Sequence, residues 1–364
     1  MVPKYQKIKE ELAQTIISGT YSIGEQLPTC RELAAKWNVS YVTASKAIKQ
    51  LAEEDYVDLN HGQGIFVRWR EDGVFPTERK IHIFTPSTSH PNMRIFIDTA
   101  VCELEKLNWE VELVTTDSLE QVIELVRDQS SYSLMFGFQL TRYEDISALC
   151  SAGRERLVMV AERYERFGIS SSCVDSSQVI RLAMKHLLTL GRCKVALLCS
   201  NLQHADETEY AAVWRNLYEI SNPDAQNIES LLFNLNLSQF ETPKDSLVRL
   251  LKEKYNSGIL HEIDAIISTD DEKAVITSSF CYDHKLSVPE DIALVAVNDS
   301  GLAEIVRPRL TTIDTALPVQ IKNAIRILES KVSGNYDGIS LRCVEPQLIQ
   351  RESTSLLVKS KENK

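Results

Sequence analysis

From Lys80 onward, the chain alternates between short runs of β-branched and apolar residues and longer segments with helical spacing. The strand-like runs are KIHIFTP, WEVELVTT, YSLMFGFQ, RLVMVAE, KVALLCS, AIISTD and IALVAVND. Between them, segments such as VIRLAMKHLLTLG place apolar residues at helical intervals. Continuous apolar strands that alternate with helices are typical of parallel sheets covered by helices on both faces. These units are too many for one small sheet, so the pattern predicts an α/β fold with two lobes.

Polar residues follow the predicted strands. These strand-end loops contain Ser87 to His90, Gly137 to Gln139, Glu162-Arg163, Asn201 to Glu207, Asp270-Asp271 and Asn298-Asp299. In open parallel sheets, ligands bind beyond the carboxyl ends of the strands. The many hydrogen-bonding groups in these loops suit a polyol or a sugar, held in a cleft that closes between the lobes.

The first 70 residues predict three helices followed by two short strands. KYQKIKEELAQTIISG carries its apolar residues on one helical stripe. In PTCRELAAKW, Thr29 and Glu32 match a capping box, so a second helix is expected to begin there and to end near Asn38. Ser40 is the expected N-cap of a third helix in VSYVTASKAIKQLAEE. A strand, a turn at residues 61–64 and a second strand follow in YVDLNHGQGIFVRW.

The third helix has the pattern of a helix that reads DNA. Its outer face is expected to present Val42, Ser45, Lys46 and Lys49, and its buried stripe Ala44, Ala47, Ile48 and Leu51. The major groove of B-DNA admits one α-helix and distinguishes all base pairs. Lysines neutralise phosphates, and the Thr43 hydroxyl in the first turn suits a phosphate. The alternatives are that the lysines are only solvated and that the helices are a plain packing unit.

The stretch from Ile16 to Val67 resembles the winged helix-turn-helix of GntR-family regulators. The matching features, in order, are Gly24-Glu25-x-Leu27-Pro28, Arg31-Glu32-Leu33-Ala34, Val39-Ser40, Thr43 and Gly62-x-Gly64. The resemblance implies that Arg31 contacts the DNA backbone and that the helix from Ser40 reads the major groove. It also implies that His61, Gly62 and Gln63 enter the minor groove, although a histidine in a turn is often only solvent-exposed.

This sequence departs from the GntR pattern at two positions of the third helix. Tyr41 and Ser45 stand where the family often has arginine. Arginine bound to guanine is the commonest specific contact, so the operator sequence stays open. Tyr41 and Lys46 are expected to give a different base preference.

Residues from about Ile81 to Leu357 resemble the periplasmic-binding-protein-like effector domain of LacI-type regulators. The carrying segments are VDSSQVIRLAMKHLLTLGRCKVALL, AIISTDDEKAV, LSVPEDIALVAVNDSGLAEIVRPRLTTI and VEPQLIQREST. The resemblance implies a sugar or sugar derivative as effector. The candidate contacts are Ser89, His90, Gln139, Glu162, Arg163, Asp271 and Asp299.

Each effector candidate has an alternative role. One of Asp270 and Asp271 can be a helix N-cap, and Glu162-Arg163 can be an ordinary salt-bridged pair. Two departures from the family, Glu207 in a helix without an early arginine and Asp314 in place of glutamine, leave an unusual effector open.

The charge of the chain is unevenly distributed. The formal net charge is −11, yet residues 1–70 have nine Lys and Arg against eight Asp and Glu, or +1, which leaves −12 for the rest. Acidity therefore belongs to the larger C-terminal part. Without an apolar span or a signal sequence, we expect a cytoplasmic protein with no membrane partner.

The sequence favours a non-enzyme. It lacks Gly-x-Ser-x-Gly, a phosphate loop and His-Glu-x-x-His, so we expect no catalytic residues and no cofactor. The eight cysteines form no Cys-x-x-Cys pair and most lie in apolar runs, so we expect buried, reduced thiols and no metal site.

Together these features predict a transcriptional regulator, a repressor controlled by a small-molecule effector. We expect a homodimer on a palindromic double-stranded DNA operator. The predicted domains are a winged helix-turn-helix at 1–70, a linker at 71–79, a two-lobed effector and dimerisation domain at 80–358 and a tail at 359–364. The alternatives are a GntR-headed, pyridoxal-phosphate enzyme-like regulator and a sugar-binding protein without a DNA role.

Overall fold

The described strands form three β-sheets, and helices pack on each of them. The computed structural model describes residues 4–17, 21, 25–53, 56–60, 64–68, 79–87, 91–128, 130–138, 140, 142–153, 155–202, 205–235, 242–332 and 338–355. The α/β fold class and the two-lobed body predicted from the sequence are confirmed. The predicted linker lies almost entirely outside the described residues.

The N-terminal unit combines three helices with a small antiparallel sheet. Its helices are α1 (Lys4–Ile17), α2 (Cys30–Lys36) and α3 (Tyr41–Glu53), and its strands are β1 (Gln26–Leu27), β2 (Val57–Asn60) and β3 (Gly64–Val67). The sheet order is β1-β3-β2, and both α1 and α2 pack on α3. The core contains the predicted stripes of α1 and α3, including Ile8, Leu12, Ile48 and Leu51.

Two-residue β1 is the element of this unit that the sequence did not predict. It pairs with β3 through Gln26–Phe66 and Leu27–Ile65. Gly64, at the start of β3, has φ +130°, a backbone conformation that residues with a side chain rarely adopt, and a Cβ there would also displace the flexible end of the Gln26 side chain. Glycine is therefore required where the wing strand returns beside β1.

Lobe 1 is built on a parallel sheet. Among the described residues its strands are β4 (Lys80–Thr85), β5 (Glu110–Thr115), β6 (Tyr132–Phe136), β7 (Leu157–Val160), β8 (Ser170–Val174) and β14 (Leu341–Val344), in the order β14-β8-β7-β6-β4-β5. Its helices are α4 (Pro91–Glu105), α5 (Leu119–Val126), α6 (Tyr143–Gly153) and α13 (Leu317–Val332), with a 3-10 helix at Glu165–Phe167. Ile83 faces α4 and α13, and Phe84 faces the opposite layer.

Lobe 2 repeats this layered arrangement. Its described strands are β9 (Val195–Cys199), β10 (Leu232–Asn234), β11 (Ala265–Ser268), β12 (Ala293–Val297), β13 (Thr311–Asp314) and β15 (Gln347–Ile349), in the order β10-β9-β11-β12-β13-β15. Only the last pair, β13 with β15, is antiparallel in this sheet as described. Its helices are α7 (Ser176–Thr189), α8 (Ala205–Ser221), α9 (Pro243–Asn256), α10 (Ile259–Glu262), α11 (Asp271–Asp283) and α12 (Leu302–Ile305), with a 3-10 helix at Ile228–Leu231. Trp214 is fully buried, and its indole N–H donates to the Val195 carbonyl at 3.0 Å.

Short connections between the lobes define the cleft. Asp175 alone joins β8 to α7, residues 315–316 join β13 to α13, and residues 345–346 join β14 to β15. Each connection leaves the carboxyl end of a strand in one lobe and enters the other lobe at once. Because one or two residues span only a few ångströms, the carboxyl ends of both sheets must face each other. This is the edge where the sequence predicts ligand binding.

Every apolar run named from the sequence contains a strand, but β8, β10, β13, β14 and β15 lie outside those runs, and β8 is a run of serines. Its residues Ser170, Ser171 and Ser172 are fully buried. The Ser171 hydroxyl accepts from the Tyr164 N–H at 3.0 Å and donates to the Ile169 carbonyl, which offsets its loss of water. In contrast, β5 is an edge strand with mostly exposed side chains.

The expectation of buried cysteines is wrong for three residues. Cys102, Cys193 and Cys343 are exposed, whereas Cys173, Cys199 and Cys281 are buried and all are free thiols. Cys102 lies on the outer part of α4 and Cys343 on the edge strand β14, so an apolar sequence neighbourhood did not ensure burial. No helix in the described ranges is long and apolar enough to cross a bilayer.

Candidate nucleic-acid interface and effector cleft

The entry to the helix-turn-helix is fixed by a capping box, as predicted. The Thr29 N–H donates to the Glu32 carboxylate at 2.7 Å, and the Thr29 hydroxyl oxygen accepts from the Glu32 N–H at 3.4 Å. Hydrogen bonds from the Thr29 N–H and hydroxyl lower the pKa of Glu32. Arg31 lies between them in the first turn of α2, with an exposed side chain. Asn38 adopts φ +48° in the turn that follows.

The start of α3 is held by its own hydroxyl groups. The Ser40 hydroxyl oxygen accepts from the Thr43 N–H at 3.2 Å and lies 2.8 Å from the Thr43 hydroxyl. Ser40 is therefore the N-cap, as the sequence predicts. Because the two hydroxyls bond each other, both remain close to the free N–H groups of the helix N-terminus, where an anion is favoured.

The two faces of α3 differ sharply. Ala44, Ala47, Ile48 and Leu51 are buried against the rest of the unit, as predicted. The opposite side exposes Tyr41, Val42, Lys46 and Lys49, while Thr43 and Ser45 are half-buried. Val42 is 74% exposed, which is unusual for a valine and leaves its methyl groups available for a partner.

Lys46 has a contact that periodicity alone did not predict. Its ammonium nitrogen lies 4.1 Å from the ring centroid of Tyr5, on α1. A cation over an aromatic ring contributes about 0.5–1 kcal/mol at an exposed site. The contact orients the Lys46 side chain while leaving it at the surface. A tyrosine in the first turn of α1 was the available signal, but the pairing spans 41 positions of sequence.

The wing strands are described, but the wing tip is not. Asp58 on β2 and Arg68 after β3 form an ion pair at 2.7 Å across the base of the hairpin. His61, Gly62 and Gln63, predicted to contact DNA, lie outside the described residues. Their role stays a prediction.

In lobe 1, two predicted effector residues follow β7. Glu162 is 7% exposed, and Arg163 is half-buried and pairs with Glu165 at 3.0 Å. Burial lowers the pKa of the Arg163 guanidinium, but the hydrogen bond and charge of Glu165 outweigh it and raise the pKa overall. Ser89, His90 and Gln139 lie outside the described residues. The salt bridge joins Arg163 to Glu165, so the alternative Glu162–Arg163 pair is not the one the structure forms.

In lobe 2, Asp270 and Asp271 divide their roles. Asp270 is the N-cap of α11 and accepts from the Lys273 N–H at 2.7 Å. Asp271 is 1% exposed, and its carboxylate accepts from the Ser300 N–H at 2.5 Å and from the Thr312 hydroxyl at 3.4 Å. Burial raises the pKa of Asp271, and the Ser300 N–H only partly opposes this. Asp271 thus lies beneath the strand ends and ties the loop after β12 to β13.

Asp299 belongs to a second ion-paired group. It forms a 2.8 Å ion pair with Arg351, which also approaches Glu304 at 3.3 Å. Arg351 donates to the Leu310 carbonyl at 3.0 Å. Asp299 itself has φ +54°, so its backbone turns sharply at the end of β12. The pair holds this turn against the strand connection before β13.

The segment 351–354, with the sequence REST, holds other segments of lobe 2 together. After Arg351, Glu352 pairs with Arg309 at 2.8 Å, and the Ser353 hydroxyl donates to the Leu294 carbonyl at 2.6 Å. The Thr354 hydroxyl lies 2.9 Å from His186 Nε2 on α7. Successive side chains therefore bind β12, the segment before β13 and α7 to one another. The motif signals the fold of lobe 2 rather than a ligand contact.

A charged cluster at the ends of β9 and β11 was missed by sequence reasoning. Lys273 is 6% exposed, contacts Asp270 directly and lies 3.9 Å from Glu207. Glu207 accepts from the Ser200 N–H at 3.0 Å and the Thr269 hydroxyl at 2.8 Å, and from the Asn201 N–H. The available signal was a lysine three residues after the Asp270 cap in an otherwise buried segment. Glu207, noted as a departure from the LacI-type pattern, is a member of this cluster.

Comparisons with known proteins agree with this architecture. Residues 4–67 match the family model of bacterial regulatory proteins, gntR family, and residues 184–354 match that of the periplasmic binding protein-like domain. The arabinose metabolism transcriptional repressor of Geobacillus stearothermophilus is 24% identical over 97% of this chain and 98% of its own length.

Two solved structures have the same body fold. The transcription regulator CcpA of Lactococcus lactis has a TM-score of 0.66 at 17% identity, covering 76% of this chain and 100% of its own. A LacI family transcriptional regulator of Enterococcus faecium with bound ribose has a TM-score of 0.63 at 18% identity, covering 76% and 99%. The chain therefore joins a GntR-type winged helix-turn-helix to a LacI-like, periplasmic-binding-protein-like body, as its sequence predicts.

Proposed function

We propose that this protein is a transcriptional repressor that binds operator DNA through residues 1–70 and a carbohydrate between its two lobes. The observation that carries the proposal is the two-faced helix α3. Its inner side is sealed in the core, while Tyr41, Val42, Lys46 and Lys49 project from the other side. A helix held outward in this way fits the major groove.

Each group on the interface has a proposed role. Arg31, Lys46 and Lys49 neutralise phosphates, and Ser40, Thr43 and Ser45 hydrogen-bond to phosphate or base edges. Tyr41 and Val42 meet base edges at the start of α3, where Val42 suits the methyl group of thymine. The wing residues 61–63 are proposed to contact the minor groove. Residues 71–79 then act as the linker to the body at 80–358.

Carbohydrate is the effector class that the cleft and the relatives favour. The Geobacillus stearothermophilus relative is named for arabinose metabolism, and the Enterococcus faecium regulator holds ribose. Charged groups at strand ends form strong hydrogen bonds with hydroxyls. We propose Glu162, Arg163 and Asp299 as contacts, together with Ser89, His90 and Gln139. Asp271 is proposed to act indirectly on the effector, because its hydrogen bond from the Ser300 N–H fixes the loop after β12.

The effector would control DNA binding through linkage. A sugar that binds one lobe arrangement more tightly shifts the population toward it, and this changes operator affinity by the same differential free energy. A homodimer in the cytoplasm, with two N-terminal units on a palindrome, fits this mechanism. The LacI-like body fold disfavours the pyridoxal-phosphate alternative, and the GntR-type unit disfavours a sugar-binding protein without a DNA role.

DNA binding is tested by selecting duplexes from a random library and measuring their affinity by fluorescence anisotropy at several salt concentrations. Arg31→Ala should weaken binding to every duplex and reduce the salt slope by about 1 for each N-terminal unit. The matched control is Arg166→Ala, an arginine in lobe 1 that is also exposed. A protein that enriches no duplex, or an Arg31→Ala variant that binds as the control does, contradicts the DNA-binding role.

Effector binding is tested by thermal shift against L-arabinose and a panel of sugars and sugar phosphates. A ligand at 100 times its Kd stabilises the protein by about 2.7 kcal/mol. Arg163→Gln should abolish the shift, whereas Arg166→Gln, three residues away and exposed, should retain it. The active sugar should also change the affinity for the selected duplex. If no carbohydrate shifts the melting temperature or alters DNA binding, the effector class is wrong.

A further inference from the structure

Two cysteines lie side by side where the chain crosses between the lobes. Cys173 on β8 and Cys343 on β14 are direct partners in the parallel ladder, and their sulfurs are 3.9 Å apart. Cys173 is buried and Cys343, on the edge strand, is exposed. The two positions are 170 residues apart in sequence, so the fold alone brings them together.

The backbone geometry at this place suits a disulfide. Neighbouring strands lie about 4.8 Å apart, and disulfides join residues whose Cα atoms are about 4.4–6.8 Å apart. Both side chains are on the same face of the sheet, since in-register partners in parallel strands point the same way. The sulfurs need to approach by about 2 Å to reach the bonding distance of about 2.0 Å, which side-chain rotation can supply.

The location connects the pair to the lobe crossings. Cys173 precedes Asp175 by two residues, and Cys343 precedes the crossing at residues 345–346 by two residues. The Asp175 N–H donates to the Val344 carbonyl at 3.3 Å, so the two crossings are already in contact. A covalent link here would make two of the crossings move as one.

We propose that Cys173 and Cys343 are a redox-modification site, at which a low-molecular-weight disulfide such as oxidised glutathione converts the dithiol into a reversible bond that stiffens the lobe crossing. The exposed Cys343 thiolate attacks one sulfur of oxidised glutathione, forms a mixed disulfide and releases one glutathione. The Cys173 thiolate then attacks the Cys343 sulfur and releases the second glutathione. The protein loses two electrons and two protons, which the two glutathione thiols carry away.

Peptide mapping tests the bond without reference to DNA or effector. The full chain is equilibrated with reduced and oxidised glutathione, its remaining thiols are alkylated, and it is digested with trypsin. Residues 167–181 and 343–351 are tryptic peptides with one cysteine each. They should appear as one linked species that disappears after treatment with dithiothreitol. Exposed Cys102 and Cys193 serve as internal controls and should carry only glutathione.

A second measurement tests the stiffening. Hydrogen–deuterium exchange of a segment containing Asp175 should slow by severalfold in the oxidised protein, and Cys343→Ser under the same conditions should show no slowing. Cys343 found only as a glutathione adduct beside a free Cys173 would overturn the bond. A linked protein with unchanged exchange at Asp175 would overturn the mechanical consequence. Either result leaves the proposed DNA and sugar binding unaffected, because neither measurement depends on them.

Discussion

Replacing Lys273 by methionine tests whether the charged cluster supports lobe 2. The Lys273 side chain is 8% exposed, and those of Asp270 and Glu207 are 19% and 12% exposed. Methionine keeps most of the apolar stem of lysine but removes the ammonium. Two nearly buried carboxylates are then left without their shared cation.

The expected loss follows from the geometry. Unit charges about 4 Å apart interact by about 4 kcal/mol at an effective dielectric constant of about 20, and removing one partner of a buried pair costs about 3–5 kcal/mol. Part of this is offset because the buried ammonium is no longer desolvated. We therefore expect Lys273→Met to lower the free energy of unfolding of lobe 2 by about 3 kcal/mol at neutral pH.

The pH dependence of this loss has a definite sign. Burial lowers the pKa of Lys273, but the charges of Asp270 and Glu207 outweigh it, so the pKa lies above the ordinary value of 10.5. A raised lysine pKa contributes stability that is complete below pH 10.5 and lost as the pH rises through the folded-state value. The difference between wild type and Lys273→Met should accordingly stay constant up to that region and shrink above it.

The assay is urea unfolding followed by the fluorescence of Trp214, which is buried in lobe 2. Trp37, Trp69 and Trp109 are replaced by phenylalanine in every variant, so that the signal comes from this lobe. Lys185→Met, on the exposed face of α7, is the matched control and should change stability by less than about 0.5 kcal/mol.

A neutralised cluster provides the sharper test. Adding Glu207→Gln and Asp270→Asn to Lys273→Met removes the two uncompensated charges while keeping acceptors for the Ser200 and Lys273 N–H groups. This triple variant should recover more than half of the loss. If Lys273→Met costs less than about 1 kcal/mol, or if the triple variant is less stable than the single one, the cluster does not act as a charge-compensated unit.

Three further outcomes are expected. Val42→Ala should reduce the preference of the protein for thymine over uracil at one operator position, because uracil lacks the methyl group. The assay is anisotropy on duplexes with single T-to-U changes, and an equal loss of affinity for both bases would refute this contact. Thr29→Ala should destabilise the N-terminal unit by about 1 kcal/mol, because it removes the N-cap of α2. Thr15→Ala, which removes a hydroxyl that donates within α1, should not destabilise it. Unfolding is monitored by Trp37 fluorescence in a background without the other tryptophans. Burial lowers the pKa of His186 below 6.5, so the unfolded chain binds the proton more tightly and the free energy of unfolding falls as the pH drops below 6.5. His186→Gln should weaken this pH dependence in urea titrations, and an unchanged pH profile would refute the prediction.

Features set by local periodicity were predictable from the sequence. The buried stripe of α3 and the Thr29 capping box depend on residues three or four positions apart, and both are as predicted. The apolar runs of the two lobes also became strands, because both faces of a parallel sheet need apolar side chains. A run of serines such as β8 gives no such signal, since its burial depends on hydrogen bonds from residues in other segments.

The candidate cleft was predictable in position but not in detail. The sequence identifies the ends of β7, β11 and β12, because the apolar runs stop there. Which carboxylate faces the cleft depends on partners far away in sequence: Glu207 meets Thr269 across 62 positions, and Asp299 meets Arg351 across 52. Asp270 and Asp271 are adjacent in sequence, yet one caps a helix and the other is sealed under the loop at Ser300. Pattern alone cannot assign such roles.

The distribution of charge explains how an acidic chain can present a DNA-binding surface. In the N-terminal unit, the Glu32 carboxylate accepts from the Thr29 N–H and the Thr29 hydroxyl, and Asp58 is paired with Arg68. Both carboxylates are engaged by groups other than Arg31, Lys46 and Lys49, so they do not form ion pairs with these cations. Charges in the body act on DNA only within a Debye length of about 8 Å at physiological salt. If α3 binds DNA as proposed, the net charge of −12 beyond residue 70 would leave phosphate contacts at α3 largely unopposed and would disfavour DNA binding by the body. Repulsion by the body and attraction by the N-terminal unit favour the same docking orientation.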